Sequence, residues 1–195
     1  AIASFNPLFV SANYVDKVVD SLVFKKFVYI DSEGNPTSGV AKEWTVSEDN
    51  LTYTFTIDND LYWQDGQKVS AEDVFFTFDT AVSLYRDYHF DSVGSALDGA
   101  TLTQLEDNVV QFVLKDANPT FFTAASIYIV PKHILEEVSM KEMPFDSFAL
   151  SPIGCGKYMV EKTEQNAVYL VDNQYDDYQP YIKKIVFRVY PDYDS

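Results

Sequence analysis

The stretch Leu51-Thr52-Tyr53-Thr54-Phe55-Thr56-Ile57 alternates strictly between apolar residues and threonine. In a pleated strand successive side chains point to opposite faces. Leu51, Tyr53, Phe55 and Ile57 therefore share one side and the three threonines the other, which predicts a half-buried strand. Whatever fold the chain adopts has to cover that apolar side.

Other segments follow from the same reasoning. Val15, Val18, Val19 and Leu22 stand at helical spacing, with Ser11 or Asn13 as cap. Val23–Asp31 reads as a strand, and Asp31-Ser32-Glu33-Gly34-Asn35 as a turn; the turn lacks the alternating ligands and distal Glu of a calcium loop. Trp63-Gln64-Asp65-Gly66 reads as a turn before a helix capped by Ser70 and Asp73, with an apolar stripe of Val74, Phe75, Phe78, Ala81, Val82 and Tyr85. A strand pair is expected over Ala100–Leu105 and Val109–Leu114, a helix after Pro119, and another over Lys132–Val138 behind Pro131. Met143–Ile153 reads as loop. Strands follow at Gly156–Lys162, Ala167–Asp172 and Ile182–Tyr190. This order predicts a mixed α/β (α+β) fold and not a regular βαβ series.

Composition excludes whole classes of function. The chain of 195 residues carries 14 basic and 30 acidic residues, a net charge of −16. Such a surface offers nothing to neutralise phosphates or anionic lipids, so no nucleic acid and no membrane surface is expected as partner. It suits a secreted or cell-surface protein that must stay soluble. No apolar run is long enough to span a bilayer, and no basic, apolar leader precedes Ala1, so the start reads as a mature or cut segment. Aromatic residues, 16% of the chain, supply rigid area for binding clefts as well as for cores.

Catalytic constellations are hard to find. His89 and His133 are the only histidines and Cys155 the only cysteine. No Gly-x-Ser-x-Gly elbow or P-loop occurs, and a zinc site would lack ligands. Gly154-Cys155-Gly156 lacks the third glycine of a dinucleotide loop and precedes a strand, so Cys155 reads as a packed small side chain. No cofactor is expected.

Five motifs occur in order along nearly the whole chain. They are Phe5-Asn6-Pro7-Leu8; Val40-Ala-Lys-Glu-Trp44 through Leu51–Ile57 to Trp63-Gln-Asp-Gly66 and Ser70-Ala-Glu-Asp-Val74; Asn118-Pro119 with Ile129-Val-Pro-Lys-His-Ile-Leu135; Pro152-Ile-Gly-Cys-Gly-Lys-Tyr158; and Asn173 to Pro191-Asp192. The set resembles the family 5 extracellular solute-binding proteins, the ligand-capturing components of oligopeptide, dipeptide and nickel importers. Cys155, Lys157 and Ile57–Asp60 depart from the family pattern.

The resemblance implies the first lobe of a two-lobed periplasmic-binding-protein-like fold, with the second lobe absent and lying beyond Ser195. Residues 1–36 and 151–195 would form an incomplete first-lobe sheet, and 37–150 an inserted subdomain. The implied function is capture of a peptide or similar small solute and delivery to an ABC permease. The implied location is extracellular or periplasmic, tethered as a lipoprotein. Position in the family pattern puts Phe5, Asn6, Phe9, Tyr85, Tyr88 and Phe90 at the ligand. Exposed sheet edges would invite self-association. Two alternatives stand beside this reading: a peptide-sensing receptor on the same scaffold, and a carbohydrate-active enzyme.

Overall fold

The computed structural model describes residues 4–9, 14–88, 96–176 and 179–190. The chain divides into two compact units: unit 1 is Ala1–Lys25, Tyr62–Gln67 and Glu137–Ser195, and unit 2 is Lys26–Leu61 and Lys68–Glu136. The expected inserted segment, 37–150, shares most of its residues with unit 2.

Unit 2 is built around the alternating run. Strands β3 (Ala41–Val46), β4 (Thr52–Ile57), β5 (Thr101–Glu106) and β6 (Val109–Val113) form an antiparallel sheet in the order β3-β4-β6-β5. Tyr53, Phe55 and Ile57 are buried, as the alternation requires. The register sets Trp44 opposite Phe55 and Phe55 opposite Val110, a continuous apolar row. Above it lies the long helix α2 (Ala71–Tyr88), whose Phe78 meets Phe112 edge-on at 4.9 Å and Phe27 at 5.3 Å. On the opposite face Thr45, Thr54, Gln111 and Thr103 form a polar row, with Gln111 donating to Thr54 at 3.0 Å. A small hairpin of β1 (Val28–Ile30) and β2 (Pro36–Ser38) closes on the expected Asp31–Asn35 turn.

One carboxylate serves two helix starts. Asp73 accepts from the Ser70 backbone at 2.9 Å through one oxygen, and from the Lys132 backbone at 2.9 Å through the other. It thereby caps α2 and pins the start of α4 (Lys132–Leu135). The further short helix α3 (Phe121–Ala125) carries Phe121 onto the inner face of the sheet, its ring 5.4 Å from that of Phe112.

In unit 1, helix α1 (Tyr14–Val23) packs on the antiparallel sheet β7 (Tyr158–Glu164), β8 (Ala167–Asp172) and β9 (Lys184–Arg188). Gly154 and Gly156 permit that approach. A Cβ on Gly154 would lie 1.9 Å from the Val23 carbonyl oxygen, and one on Gly156 2.4 Å from that of Leu22. The Gly-Cys-Gly pattern is thus a packing device, and Cys155 is buried as expected.

Several expectations need correction. Val23–Asp31 is not one strand: α1 holds Val23, Lys26 makes a single bridge to Tyr128, and only Val28–Ile30 pairs continuously. The helix behind Pro131 stops at Leu135, where Glu136 and Glu137 oppose the helix dipole. Phe75, assigned to the buried stripe of α2, is 40% exposed, while Leu84 is buried. Strand β3 was not anticipated, because a bulge between Ala41 and Glu43 breaks its alternation.

Candidate functional site

The residues expected at the ligand fall into both units. In unit 1, Phe5 is fully buried and its backbone N–H donates to Ala149 O at 2.8 Å. Asn6, also fully buried, organises the Asn-Pro-Leu-Phe segment. Its Oδ1 accepts from Leu8 N at 3.2 Å, its Nδ2 donates to Met143 O at 3.4 Å, and its carbonyl accepts from Phe9 N at 3.0 Å. The side-chain bond to Leu8 is an Asx turn, the usual reason for asparagine before proline in a turn. Pro7, Leu8 and Phe9 are left half-buried at the tip.

In unit 2, Tyr85 is half-buried on the last turns of α2. Tyr88 ends that helix, with its side chain outside the described residues, as is Phe90. Between α2 and β5 lies an open cavity of about 270 Å³, lined among others by Phe75, Asp79, Arg86 and Leu102. Arg86 pairs with Asp98 at 2.8 Å.

A buried polar junction occupies unit 1. Gln64, 6% exposed, donates through Nε2 to Tyr158 O at 2.7 Å and Val23 O at 3.3 Å, and accepts from Gly154 N at 2.9 Å. Next to it Asn173 donates to Gly156 O at 2.8 Å, and Lys25 pairs with Asp176 at 3.3 Å. Trp63–Gly66 is the expected turn, closed by Gly66 N donating to Trp63 O at 2.9 Å, and Gln64 within it makes these three side-chain bonds. On the buried face of α1, Asp16 and Asp20 stand one turn apart. Burial, and then the Asp16 carboxylate, pushes the Asp20 carboxyl up to about 7.

Sequence reading missed Lys26. This half-buried residue of unit 2 holds its ammonium 3.4 Å from Ser126 Oγ and 5.4 Å from the centre of the Tyr128 ring. Burial lowers its pKa from the usual lysine value. Phe24-Lys25-Lys26-Phe27 carries no signal that separates it from Lys25. Among the described residues no group of three or more His, Cys, Asp or Glu side chains could hold a metal ion. In the same residues no helix is long and apolar enough to cross a membrane.

Comparison with known proteins agrees with these motifs. Residues 35–195 match the model of the bacterial extracellular solute-binding proteins, family 5. The dipeptide-binding protein of Escherichia coli is 30% identical over 173 residues, covering 79% of this chain and 32% of that protein. The oligopeptide-binding protein AppA of Bacillus subtilis, solved with a nonapeptide, superimposes with a TM-score of 0.83 at 25% identity, over 98% of this chain and 39% of its own. NikZ of Campylobacter jejuni, solved with Ni(L-His), gives 0.81 at 26% identity, over 96% and 37%. The chain thus spans about a third of the length of these relatives and carries part of their mixed α/β fold. With its ordered motifs and a family match over most of its length, the chain belongs to the bacterial extracellular solute-binding proteins of family 5.

Proposed function

We propose that this chain is the first-lobe portion of the substrate-binding component of an ABC importer. It captures a peptide or similar small solute outside the cell and passes it to a membrane permease. The family match over residues 35–195 carries this reading. A nonapeptide and a nickel–histidine complex, the solutes found with AppA and NikZ, indicate the range of chemistry to expect; both carry a carboxylate. The protein acts extracellularly or in the periplasm, tethered as a lipoprotein, and it binds without catalysis. Cys155, a residue that could act as a nucleophile, is 1% exposed.

Within this reading, residues 1–36 and 151–195 belong to the first-lobe sheet and 37–150 to its inserted subdomain; the compact units differ in grouping 26–36 with unit 2, and 62–67 and 137–150 with unit 1. Phe5, Asn6, Phe9, Tyr85, Tyr88 and Phe90 remain the proposed ligand-binding set, with a division of labour. Phe5 and Asn6 fix the backbone of the Asn6–Phe9 turn, and Phe9 and Tyr85 offer aromatic surface. Strand β9, at the edge of its sheet, is the proposed route of self-association for the isolated chain.

Native mass spectrometry of the full-length protein with a mixed peptide pool tests the proposal, with the 195-residue chain alongside. Peptide masses retained by the full-length protein are the expected result. Retention of none, from peptide, metal-chelate and sugar pools alike, would overturn it.

A further inference from the structure

Most cations of this acidic chain that leave full solvent have a carboxylate beside them. Lys25 has Asp176 at 3.3 Å, and Lys132 has Glu72 at 2.7 Å. Others, such as Lys17 and Lys68, are exposed to solvent. Lys26 fits neither group. It is half-buried, and no carboxylate among the described residues pairs with it.

Its surroundings suit an anion that comes and goes. The ammonium has three donors; Ser126 Oγ lies at 3.4 Å, a long and weak contact. The Tyr128 ring at 5.4 Å holds the cation by its π face without neutralising it. Lys26 and Tyr128 are fixed relative to each other because their backbones form a β-bridge, and the adjacent Phe27 N–H donates to Ile127 O at 2.7 Å. The charge is therefore held in place, partly desolvated and, among the described residues, without a carboxylate partner. An arriving carboxylate gains a charge-assisted hydrogen bond, and the serine hydroxyl stands within reach as a second donor.

We infer that Lys26, with Ser126 and Tyr128, forms a carboxylate-binding subsite of this protein. The inference rests on the solute-binding reading above and narrows it to solutes bearing a carboxylate, whether a free peptide or a metal chelate of an amino acid.

Two measurements on the protein at its natural full length decide it. In the first, lysines are labelled by ¹³C reductive methylation, and the Lys26 signal is identified by its loss in Lys26→Arg. That signal is expected to titrate below those of the exposed lysines and to shift saturably with acetate, but not with chloride at equal ionic strength. A Lys26 signal that answers acetate no more than exposed lysines do overturns the inference.

The second compares Lys26→Met with wild type in binding trialanine, trialaninamide, nickel–histidine and nickel–histamine. The substitution is expected to weaken the two carboxylate-bearing ligands, or the one the protein takes, about tenfold, and to leave the amide and the amine unchanged. Selective loss for trialanine names the peptide carboxylate as the source; selective loss for nickel–histidine names the chelate. Equal loss for acid and amide overturns the inference. If wild type binds none of the four, the importer reading fails for these solutes, and the acetate response alone decides the subsite.

Discussion

Gly154 and Gly34 separate two reasons for a glycine. A Cβ on Gly154 would sit 1.9 Å from Val23 O, a backbone atom that moves only if α1 moves. Gly34 has nothing within 4 Å of its Cβ position but a φ of +88°. Gly154→Ala is expected to cost about 3 kcal/mol or more, the upper range for overpacking. Gly34→Ala should cost only about 1 kcal/mol, the left-handed penalty alone. Urea unfolding of the two variants checks the order, and equal costs would refute the close-approach argument.

Asp20 makes a residue-scale prediction with a sign. Its folded-state carboxyl titrates at about 7 against an ordinary 3.8. The folded protein therefore binds the proton more tightly than the unfolded chain. Its stabilising contribution is fully present below about pH 4 and is lost as pH rises through about 7. The span corresponds to roughly 4 kcal/mol at most. Asp20→Asn removes this dependence, so its stability should fall less than that of wild type between pH 4 and 8. Identical pH profiles would show that Asp20 is solvated.

At the scale of elements, Gln64 binds three parts of unit 1 together: the end of α1, the glycine pair and the start of β7. Gln64→Ala leaves one N–H and two carbonyls buried without that partner, a loss of about 3 kcal/mol. Gln64→Glu is the sharper probe. At neutral pH a carboxylate would face the carbonyls of Val23 and Tyr158; protonation restores a donor. Its stability should recover on acidification, and the Gly154 amide should exchange faster in Gln64→Ala than in wild type. Unchanged exchange at Gly154 would count against the junction.

The elements that could be read from sequence are those whose pattern is locally complete. The threonine alternation placed β4, and Ser70 with Asp73 placed the start of α2. Strand β3 was hidden because its bulge inserts a residue and shifts the phase between Ala41 and Glu43. The break after Val23 was hidden because the Val23 carbonyl finds its partner far along the chain, accepting from Gly156 N at 2.7 Å. Only the fold makes those constraints visible.

The same distinction governs the site when the molecule is taken whole. Phe5 and Phe9 flank one Asn-Pro motif and look alike, yet Phe5 is fully buried, its N–H donating to Ala149 O, while Phe9 is half-buried. Lys25 and Lys26 are sequence neighbours, and among the described residues only Lys25 finds a carboxylate. Which side chains remain available to a ligand depends on partners that no local pattern announces. Family motifs therefore identified the scaffold more readily than the contacts.

Net charge and edge chemistry oppose each other in the isolated chain, and their balance can be measured. In β9 the residue Lys184 is drawn across its sheet to Glu161 at 2.7 Å, while Val186, 42% exposed, and Arg188 face outward. Beside them Tyr181 is 99% and Ile182 62% exposed. An edge of this kind favours pairing with a second copy, whereas a charge of −16 on each copy resists it. The Debye length falls from about 30 Å at 0.01 M salt to about 8 Å at 0.15 M, so repulsion between whole molecules fades while strand pairing does not. Sedimentation velocity should show a monomer in low salt and growing association as salt rises, abolished by Val186→Lys. Association that weakened with salt, or survived that substitution, would place the contact elsewhere, and a chain monomeric at every salt concentration would mean that repulsion and the cationic edge suffice to keep β9 unpaired.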